Sequence, residues 1–204
     1  MLSHTPKMHG ADVNTFVLAG GILALIAYLP LWWKLWSGSA TQNLATWILW
    51  TMLDCIIAAS IIFQDGNFLL SVMYAIGSAI TVLCIVRSGV TYQWSWLDTL
   101  TASLVLGSML IWYFSGDAKT ATVASTGAIV IAGIPQLSDA WKNPRDMPIL
   151  VFWGYLIANC LSAAGGASWA IEERFFPTVT AMFSAAMILI ATRRLWFPRR
   201  IPRQ

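Results

Sequence analysis

Residues 26–36 read IAYLPLWWKLW, an apolar run that contains a proline and continues with three tryptophans and a lysine. Inside a helix, a proline removes one backbone hydrogen bond and bends the chain. Residues 131–141 read IAGIPQLSDAW, which places isoleucine, alanine, proline and tryptophan at the same relative positions. The same proline-centred pattern in two places indicates that the chain contains an internal repeat.

An offset of 105 residues, from residue 26 to residue 131, aligns the two copies well beyond the prolines. The aligned pairs include Pro30 and Pro135, Trp36 and Trp141, Trp47 and Phe152, Trp50 and Tyr155, Asp54 and Asn159, and Cys55 and Cys160. Chance matching of apolar residues does not readily align a proline, several aromatic residues, a polar residue and a cysteine without a gap. A repeat of this length is typical of a duplicated structural unit.

The composition is that of a membrane protein. Hydrophobic residues make up 58% of the 204 residues and charged residues 10%, with a mean hydropathy of +0.68. A soluble domain carries about 25% charged residues. A helix needs about 20 apolar residues to cross a bilayer, and polar breaks leave seven such segments. They lie at about 14–36, 44–63, 68–86, 97–115, 121–141, 149–167 and 178–196. We therefore expect an all-α membrane protein with seven transmembrane helices.

The repeat divides these helices into two copies of three, joined by the fourth. The predicted parts are an extracytoplasmic leader (1–13), a first three-helix repeat (14–96), a linker helix (97–120), a second three-helix repeat (121–196) and a basic cytoplasmic tail (197–204). An odd number of linker helices gives both copies the same orientation in the membrane. Parallel repeats of this kind occur in transporters, with the substrate site near the midplane between them.

Basic residues are distributed unequally between the two sides of the predicted bundle. Nine of the twelve fall on one side, namely Lys34, Arg87, Lys142, Arg145, Arg193, Arg194, Arg199, Arg200 and Arg203. The other side carries Lys7, Lys119 and Arg174. The positive-inside rule then places the N-terminus outside and the C-terminus in the cytoplasm. The short loops and basic tail favour a bacterial inner membrane, with an organelle membrane as the alternative. The tail predicts affinity for anionic lipid and no binding to nucleic acid.

The second copy reads IPQLSDAWKNPRDMP (134–148) and the first LPLWWKLWSGSATQNLATWILW (29–50). Both resemble PQ-loop motifs, and the 3+1+3 plan resembles the PQ-loop superfamily, which includes the SWEET sugar carriers and the lysosomal cystine carrier. The resemblance covers about residues 14–196 and implies a carrier with Pro30, Pro135 and Gln136 at hinges or gates. The first copy departs from the pattern because Leu31 stands where the second has Gln136. The two prolines are alternatively static kinks.

Asp54 falls near the middle of the second predicted helix, where a charged side chain costs about 2.5–3.5 kcal/mol. Trp47, Trp50 and Asp54 are spaced by three and four residues and share one helix face. Phe152, Tyr155 and Asn159 form the matching face of the second copy. We predict that these six residues bind the substrate between the repeats, with Tyr74, Ser78 and Ser184 as weaker candidates. Alternatively, the tryptophans face lipid and Asn159 makes a helix-to-helix hydrogen bond.

These patterns predict a transporter for a small polar solute that works by alternating access between the repeats. The resemblance implies that Asp54 carries a proton during transport. Sugar carriers of the superfamily tend to carry an asparagine in the third helix of each repeat, and both segments here lack one, so an amino acid or related metabolite is favoured over a sugar. A SWEET-type sugar uniporter and a receptor that does not transport remain alternatives. We expect no enzyme activity, cofactor or metal site, and two repeats in one chain make oligomerisation unnecessary.

Overall fold

A computed structural model of the chain describes residues 14–39, 42–89, 94, 96–142, 144, 147 and 149–196. For Leu97, Pro135, Asp139 and residues 194–196 it describes the backbone alone. Outside the described residues lie the predicted leader (1–13), the predicted basic tail (197–204) and Arg145. All regular secondary structure within the described ranges is helical, which confirms the predicted all-α class.

The described helices follow the predicted apolar segments closely. They are α1 (Thr15–Ile26), α2 (Leu29–Trp36), α3 (Leu44–Ile62), α4 (Leu69–Arg87), α5 (Trp96–Ser115), α6 (Ala118–Lys142), α7 (Ile149–Gly165) and α8 (Phe176–Trp196). A π-helical turn (Ile171–Phe175) leads directly into α8. The first predicted segment is divided between α1 and α2, so one predicted span corresponds to two helices.

Several of these helices are long and apolar enough to cross a membrane by length and composition, as expected for an integral membrane protein. Five stretches meet this standard: α1 together with α2 (Thr15–Trp36), α3, α4, α6, and the π-helical turn with most of α8 (Ile171–Arg193). The helix α7 is also apolar but has 17 residues (Ile149–Gly165), which is shorter than a typical span.

Asparagine side chains cap the first turns of α1 and α3. The side-chain oxygen of Asn14 accepts a hydrogen bond from the Phe16 N–H at 2.9 Å, and that of Asn43 from the Ala45 N–H at 2.9 Å. Such caps satisfy backbone donors that have no partner within the helix. Between α5 and α6 the chain turns at Gly116, whose φ of +61° suits glycine because it has no Cβ.

The two prolines of the repeat have different effects on their helices. In the first copy the chain breaks at Ala27 and Tyr28, and Pro30 lies in the first turn of α2. That position tolerates proline because its missing N–H would have no helical partner. In the second copy α6 continues through Pro135 without a break. The helix boundaries therefore differ between the two copies at their prolines.

Helix packing follows the same scheme in both halves of the chain. In the first half α4 packs against both α1 and α3, and in the second half α8 packs against both α6 and α7. The halves meet through α1 against α7 and α3 against α6, while α5 lies against α3 and α6. The main contacts within and between the halves, those of α1, α3 and α4 with α6, α7 and α8 named above, thus have counterparts in the other half.

The approach of α1 to α7 depends on small residues. A Cβ added at Gly20 would lie 2.7 Å from the carbonyl oxygen of Ala158 and 2.9 Å from the Ser162 nitrogen. A Cβ at Gly165 would lie 2.8 Å from the Val17 nitrogen. The two backbones are therefore nearly in contact at both places. Glycine at such crossings permits close packing of helices in membranes.

Each half also has an arginine stacked on a tryptophan at the same end of the bundle. The Arg87 guanidinium, at the end of α4, lies 4.4 Å from the ring centre of Trp36 at the end of α2. Likewise Arg193 in the last turns of α8 lies 4.4 Å from the ring centre of Trp141 at the end of α6. Arg193 additionally donates to the main-chain oxygens of Ala140 and Trp141. We call these two contacts the arginine clamps; each joins the first and third helical segments of one half.

Candidate functional site

A cavity of about 310 Å³ lies between the two halves of the bundle. This volume is within the range of small-molecule sites. The wall includes five of the six residues predicted to bind substrate and one predicted gate residue, namely Trp47, Trp50, Asp54, Phe152, Tyr155 and Gln136. The weaker candidates Tyr74 and Ser184 also line it. Both predicted faces therefore meet at one space, as the repeat predicts.

Asn159, predicted to bind the substrate, and Pro30, predicted to act at a hinge, lie outside the cavity wall. Asn159 is fully buried behind the wall, where its amide donates to the Tyr74 hydroxyl at 2.8 Å and to the Tyr155 carbonyl at 2.7 Å. Pro30 is exposed and does not line the cavity. Pro135 lies within α6, but its side chain is outside the described residues. The structure assigns Asn159 to supporting the wall, because Tyr74 occupies the space in front of it.

Asp54 is the acidic side chain of the described cavity wall and is 7% exposed. Ser78 lies within hydrogen-bond distance of it, with 3.2 Å between the hydroxyl and Oδ2. The same hydroxyl lies 2.8 Å from the Tyr74 carbonyl oxygen, and a hydroxyl has a single proton to donate. Among the described residues, no basic group lies within salt-bridge distance of Asp54. The carboxyl therefore has little support from the protein and is available to a ligand.

Three tyrosines form the centre of the wall. The ring centres of Tyr28 and Tyr155 are 5.3 Å apart, those of Tyr74 and Tyr155 5.4 Å, and those of Tyr28 and Tyr74 6.3 Å. All three pairs are steeply inclined, which is the favourable edge-to-face arrangement of aromatic rings. They come from α1–α2, α4 and α7, so this cluster links both halves.

The tryptophans continue the aromatic wall from α3. The ring centres of Trp47 and Trp50 are 5.4 Å apart, and that of Trp47 is 6.2 Å from that of Tyr28. The Trp47 indole N–H donates to the Gln42 side-chain oxygen at 3.2 Å. The Trp50 indole N–H is buried without a protein partner. The two indoles therefore differ in how firmly hydrogen bonds hold them.

Aligning the two copies does not identify Tyr28 and Phe183 as wall residues. The large aromatic side chain comes from the first helical segment in one half and from the third in the other. Under the offset of 105, Tyr28 aligns with Gly133 and Ser78 aligns with Phe183. In the first half the Tyr28 ring packs against Gly77 of α4. In the second half the Phe183 ring of α8 packs against Gly133 of α6. A large residue on one helix and a small one on its neighbour are thus exchanged between the copies.

The end of the bundle away from the cavity is closed by a polar latch, which we define as Asn67, Ser162 and Glu172. The Asn67 amide donates to the Ser162 carbonyl at 3.0 Å and lies 3.2 Å from its hydroxyl. The Asn67 backbone N–H donates to the Glu172 carbonyl at 3.0 Å. A Cβ at Gly66 would lie 2.5 Å from that same oxygen, so the close approach requires glycine. The latch joins the α3–α4 connection of one half to α7 and the π-helical turn of the other.

The cavity extends toward the opposite end. Its wall reaches Leu31 in α2, Gln42 before α3 and Met147 before α7. None of the latch residues lines it. The structure is therefore closed at the latch and reaches furthest toward the end that carries the arginine clamps.

The described part of the chain contains no group of three or more His, Cys, Asp or Glu side chains arranged to hold a metal ion. The described wall offers a ligand aromatic rings, one carboxyl, amides and hydroxyls. Comparison of the chain with family models, with curated proteins and with solved structures gives no match in any of the three.

Proposed function

We propose that the protein is a membrane transporter of the PQ-loop type that carries a small solute by alternating access. In this proposal seven helical segments cross the membrane, with α1 and α2 counted as one and α5 joining two three-helix halves. The equivalent helix contacts of the two halves and the paired arginine clamps support a parallel repeat. They support the same repeat as the residues that align at an offset of 105 in the sequence.

One observation carries the proposal: the cavity lies between the halves, and a contact between the same halves closes one of its ends. Asp54 and Trp50 of the first half face Phe152 and Tyr155 of the second across it. A transporter needs such a site together with a closure that can move from one end to the other. The latch is a suitable closure because it consists of a few hydrogen bonds between the halves.

The charge distribution supports a direction for the described state. With the clamp arginines and Lys34 on the cytoplasmic side, the latch lies at the outer end and the cavity extends toward the cytoplasm. We propose that this is the inward-facing state. Opening of the latch and closure around Leu31, Gln42 and Met147 would give the outward-facing state.

Asp54 is the proposed site of proton coupling. It lies in the wall, it has no ion-pair partner among the described residues, and its hydrogen bond from Ser78 competes with a carbonyl. A carboxyl in this setting can lose or gain a proton without breaking an ion pair of the protein. Coupling would then follow from competition between the proton and the solute for the same side chain.

A reversible cross-link across the latch tests transport. Cysteines placed at Asn67 and Ser162, with the three native cysteines replaced by serine, should form a disulfide that holds the outer end closed. We expect saturable uptake into liposomes by the reduced protein, loss of uptake on oxidation, and recovery with a thiol reductant. Solute binding should persist in the oxidised protein.

The matched controls are the two single-cysteine variants, whose uptake should not respond to oxidation. If no amino acid, sugar or amine shows saturable uptake while a solute still binds, the protein is a receptor and the transport proposal is wrong. Proton coupling is tested separately with Asp54→Asn. Proton coupling by Asp54 is contradicted if uptake does not depend on a pH gradient and is the same in this variant as in wild type.

A further inference from the structure

The charge of the cavity wall is unbalanced. Asp54 is acidic, and no lysine, arginine or histidine belongs to the described wall. Of the described basic side chains, Arg87 and Arg193 form the clamps at the helix ends, and Lys119 pairs with Glu172 at 3.5 Å. A buried carboxylate with no counter-charge is costly, so a ligand that supplies a positive charge gains most from this site.

The rest of the wall is suited to the same kind of ligand. Eight lining side chains are aromatic: Tyr28, Trp47, Trp50, Tyr74, Phe152, Tyr155, Phe176 and Phe183. Aromatic faces attract cations, and aromatic cages are the usual site for quaternary ammonium groups. The arginine clamps show the same attraction at 4.4 Å, whereas no arginine or lysine of the described chain stacks on Trp47 or Trp50. No arginine or lysine of the described chain therefore competes with a ligand cation for these two indoles.

The described polar groups of the wall include no cation that could balance a carboxylate. Thr180 donates to Asn159 at 2.5 Å, and Ser184 donates to the Thr180 carbonyl at 2.9 Å. The Gln42 oxygen accepts from Trp47. Several polar side chains are thus already paired within the protein. The described polar groups left for a ligand include Asp54, Gln136 and the Trp50 indole N–H, and none of them is cationic. The carboxylate of an amino acid would therefore enter a wall that holds Asp54 and no described basic side chain.

From the Asp54 carboxyl surrounded by the aromatic wall, we infer that the solute is a small organic cation, a quaternary ammonium or protonated amine without a carboxylate. The ammonium group would lie between Asp54 and the indoles of Trp47 and Trp50, and the apolar part of the solute would contact the tyrosine cluster. This inference rests on the proposed function for the statement that the cation is transported. The binding site itself can be tested without transport.

Binding should be measured by calorimetry and tryptophan fluorescence on protein in lipid nanodiscs, with empty nanodiscs subtracted. The probes are two cations with neutral counterparts of nearly the same shape: choline with 3,3-dimethylbutan-1-ol, and phenethylammonium with 2-phenylethanol. Two zwitterions, betaine and phenylalanine, add a carboxylate to the same cationic groups. We expect at least one cation to bind about tenfold or more tightly than both its neutral and its zwitterionic counterpart.

Substitutions test whether cation binding depends on Asp54 and Trp50. Asp54→Asn keeps the shape of the side chain and should weaken the cation about tenfold or more while changing the neutral probe little. Trp50→Phe keeps an aromatic face and should weaken the cation by a few-fold, and Trp50→Leu should weaken it further. The matched controls are Asp117→Asn at the exposed start of α6 and Trp153→Leu on the outer side of α7. Both should leave the affinity within about twofold.

Two results would overturn the inference. One is that neither cation binds better than its neutral counterpart, and the other is that a zwitterion binds as tightly as the cation it extends. In either case the transport proposal would still hold if another solute showed saturable uptake that is lost when the latch cross-link is oxidised. The opposite result is cation binding that depends on Asp54 but no uptake, whether the latch cross-link is reduced or oxidised. That result would support the cation site and contradict the transport proposal.

Discussion

The side-chain amide of Asn159 donates a hydrogen bond to the hydroxyl of Tyr74, 2.8 Å away, and so links α7 of the second half to α4 of the first. The Asn159 oxygen accepts a hydrogen bond from Thr180 of α8. Its repeat partner Asp54 lies in the cavity wall instead. Two aligned polar residues thus differ in position, since Asp54 lines the cavity and Asn159 packs behind its wall.

Replacing Asn159 by leucine should destabilise the protein by about 1–3 kcal/mol, because the buried Tyr74 hydroxyl loses its hydrogen-bond partner. Thermal unfolding in detergent measures the change. The exposed neighbour Cys160 provides a control, since Cys160→Ala should alter the unfolding temperature little. Equal unfolding temperatures of Asn159→Leu and wild type would show that the network contributes nothing to stability.

Gly20→Ala should destabilise the protein by about 1–3 kcal/mol through overpacking. The added Cβ would meet backbone atoms of α7 at 2.7 and 2.9 Å, and backbone cannot move aside as a flexible side chain can. Gly127→Ala in α6 is the matched control, because a Cβ there has nothing within 4 Å. That substitution should stabilise by up to about 1 kcal/mol through better helix propensity. A Gly20→Ala protein as stable as Gly127→Ala would contradict the close contact of α1 and α7.

The latch should depend on hydrogen bonds more than on its ion pair. Asn67→Ala leaves buried groups of Ser162 without a donor and should cost about 1–3 kcal/mol. Lys119→Ala removes the partner of Glu172, but the lysine is 52% exposed, so the expected cost is below about 1 kcal/mol. Unfolding temperatures at low and high salt separate the two effects. If Lys119→Ala is the more damaging change, charge rather than hydrogen bonding holds the latch.

Asp117 gives a prediction for the dependence of stability on pH. This exposed residue precedes α6, and hydrogen bonds from the Thr120 side chain and backbone lower the pKa of its carboxyl. A lowered pKa in the folded protein contributes stability above the unfolded pKa, and that stability is lost as the pH falls through the folded pKa. Between pH 5 and pH 2 the unfolding temperature of wild type should fall more than that of Asp117→Asn. Parallel curves for the two proteins would refute this contribution.

The sequence predicts the parts of the site that depend on helical spacing. Trp47, Trp50 and Asp54 lie on one face of α3 because three- and four-residue spacing fixes that face in any helix. The same rule places Phe152 and Tyr155 on the matching face of α7. These residues line the cavity together, which the repeat alone was sufficient to suggest.

Other parts depend on tertiary packing, which the repeat does not specify. Tyr28 aligns with a glycine and Phe183 with a serine. The alignment therefore does not show that a large side chain on one helix is replaced by a large side chain on another. Asn159 is kept from the wall by Tyr74, whose aligned position in the second half is Val179. Asn67 lies in a polar break that predicts a turn, and only the folded chain brings it to Ser162.

The arginine clamps have a consequence for measuring motion in this protein. Since each clamp fastens the first helical segment of a half to its third at one end, bending within a half is restrained there. Spectroscopic labels attached near the ends of α2 and α6 would therefore report on the separation of the two halves at that end. A change in that distance on adding a ligand would measure how far the halves tilt when it binds.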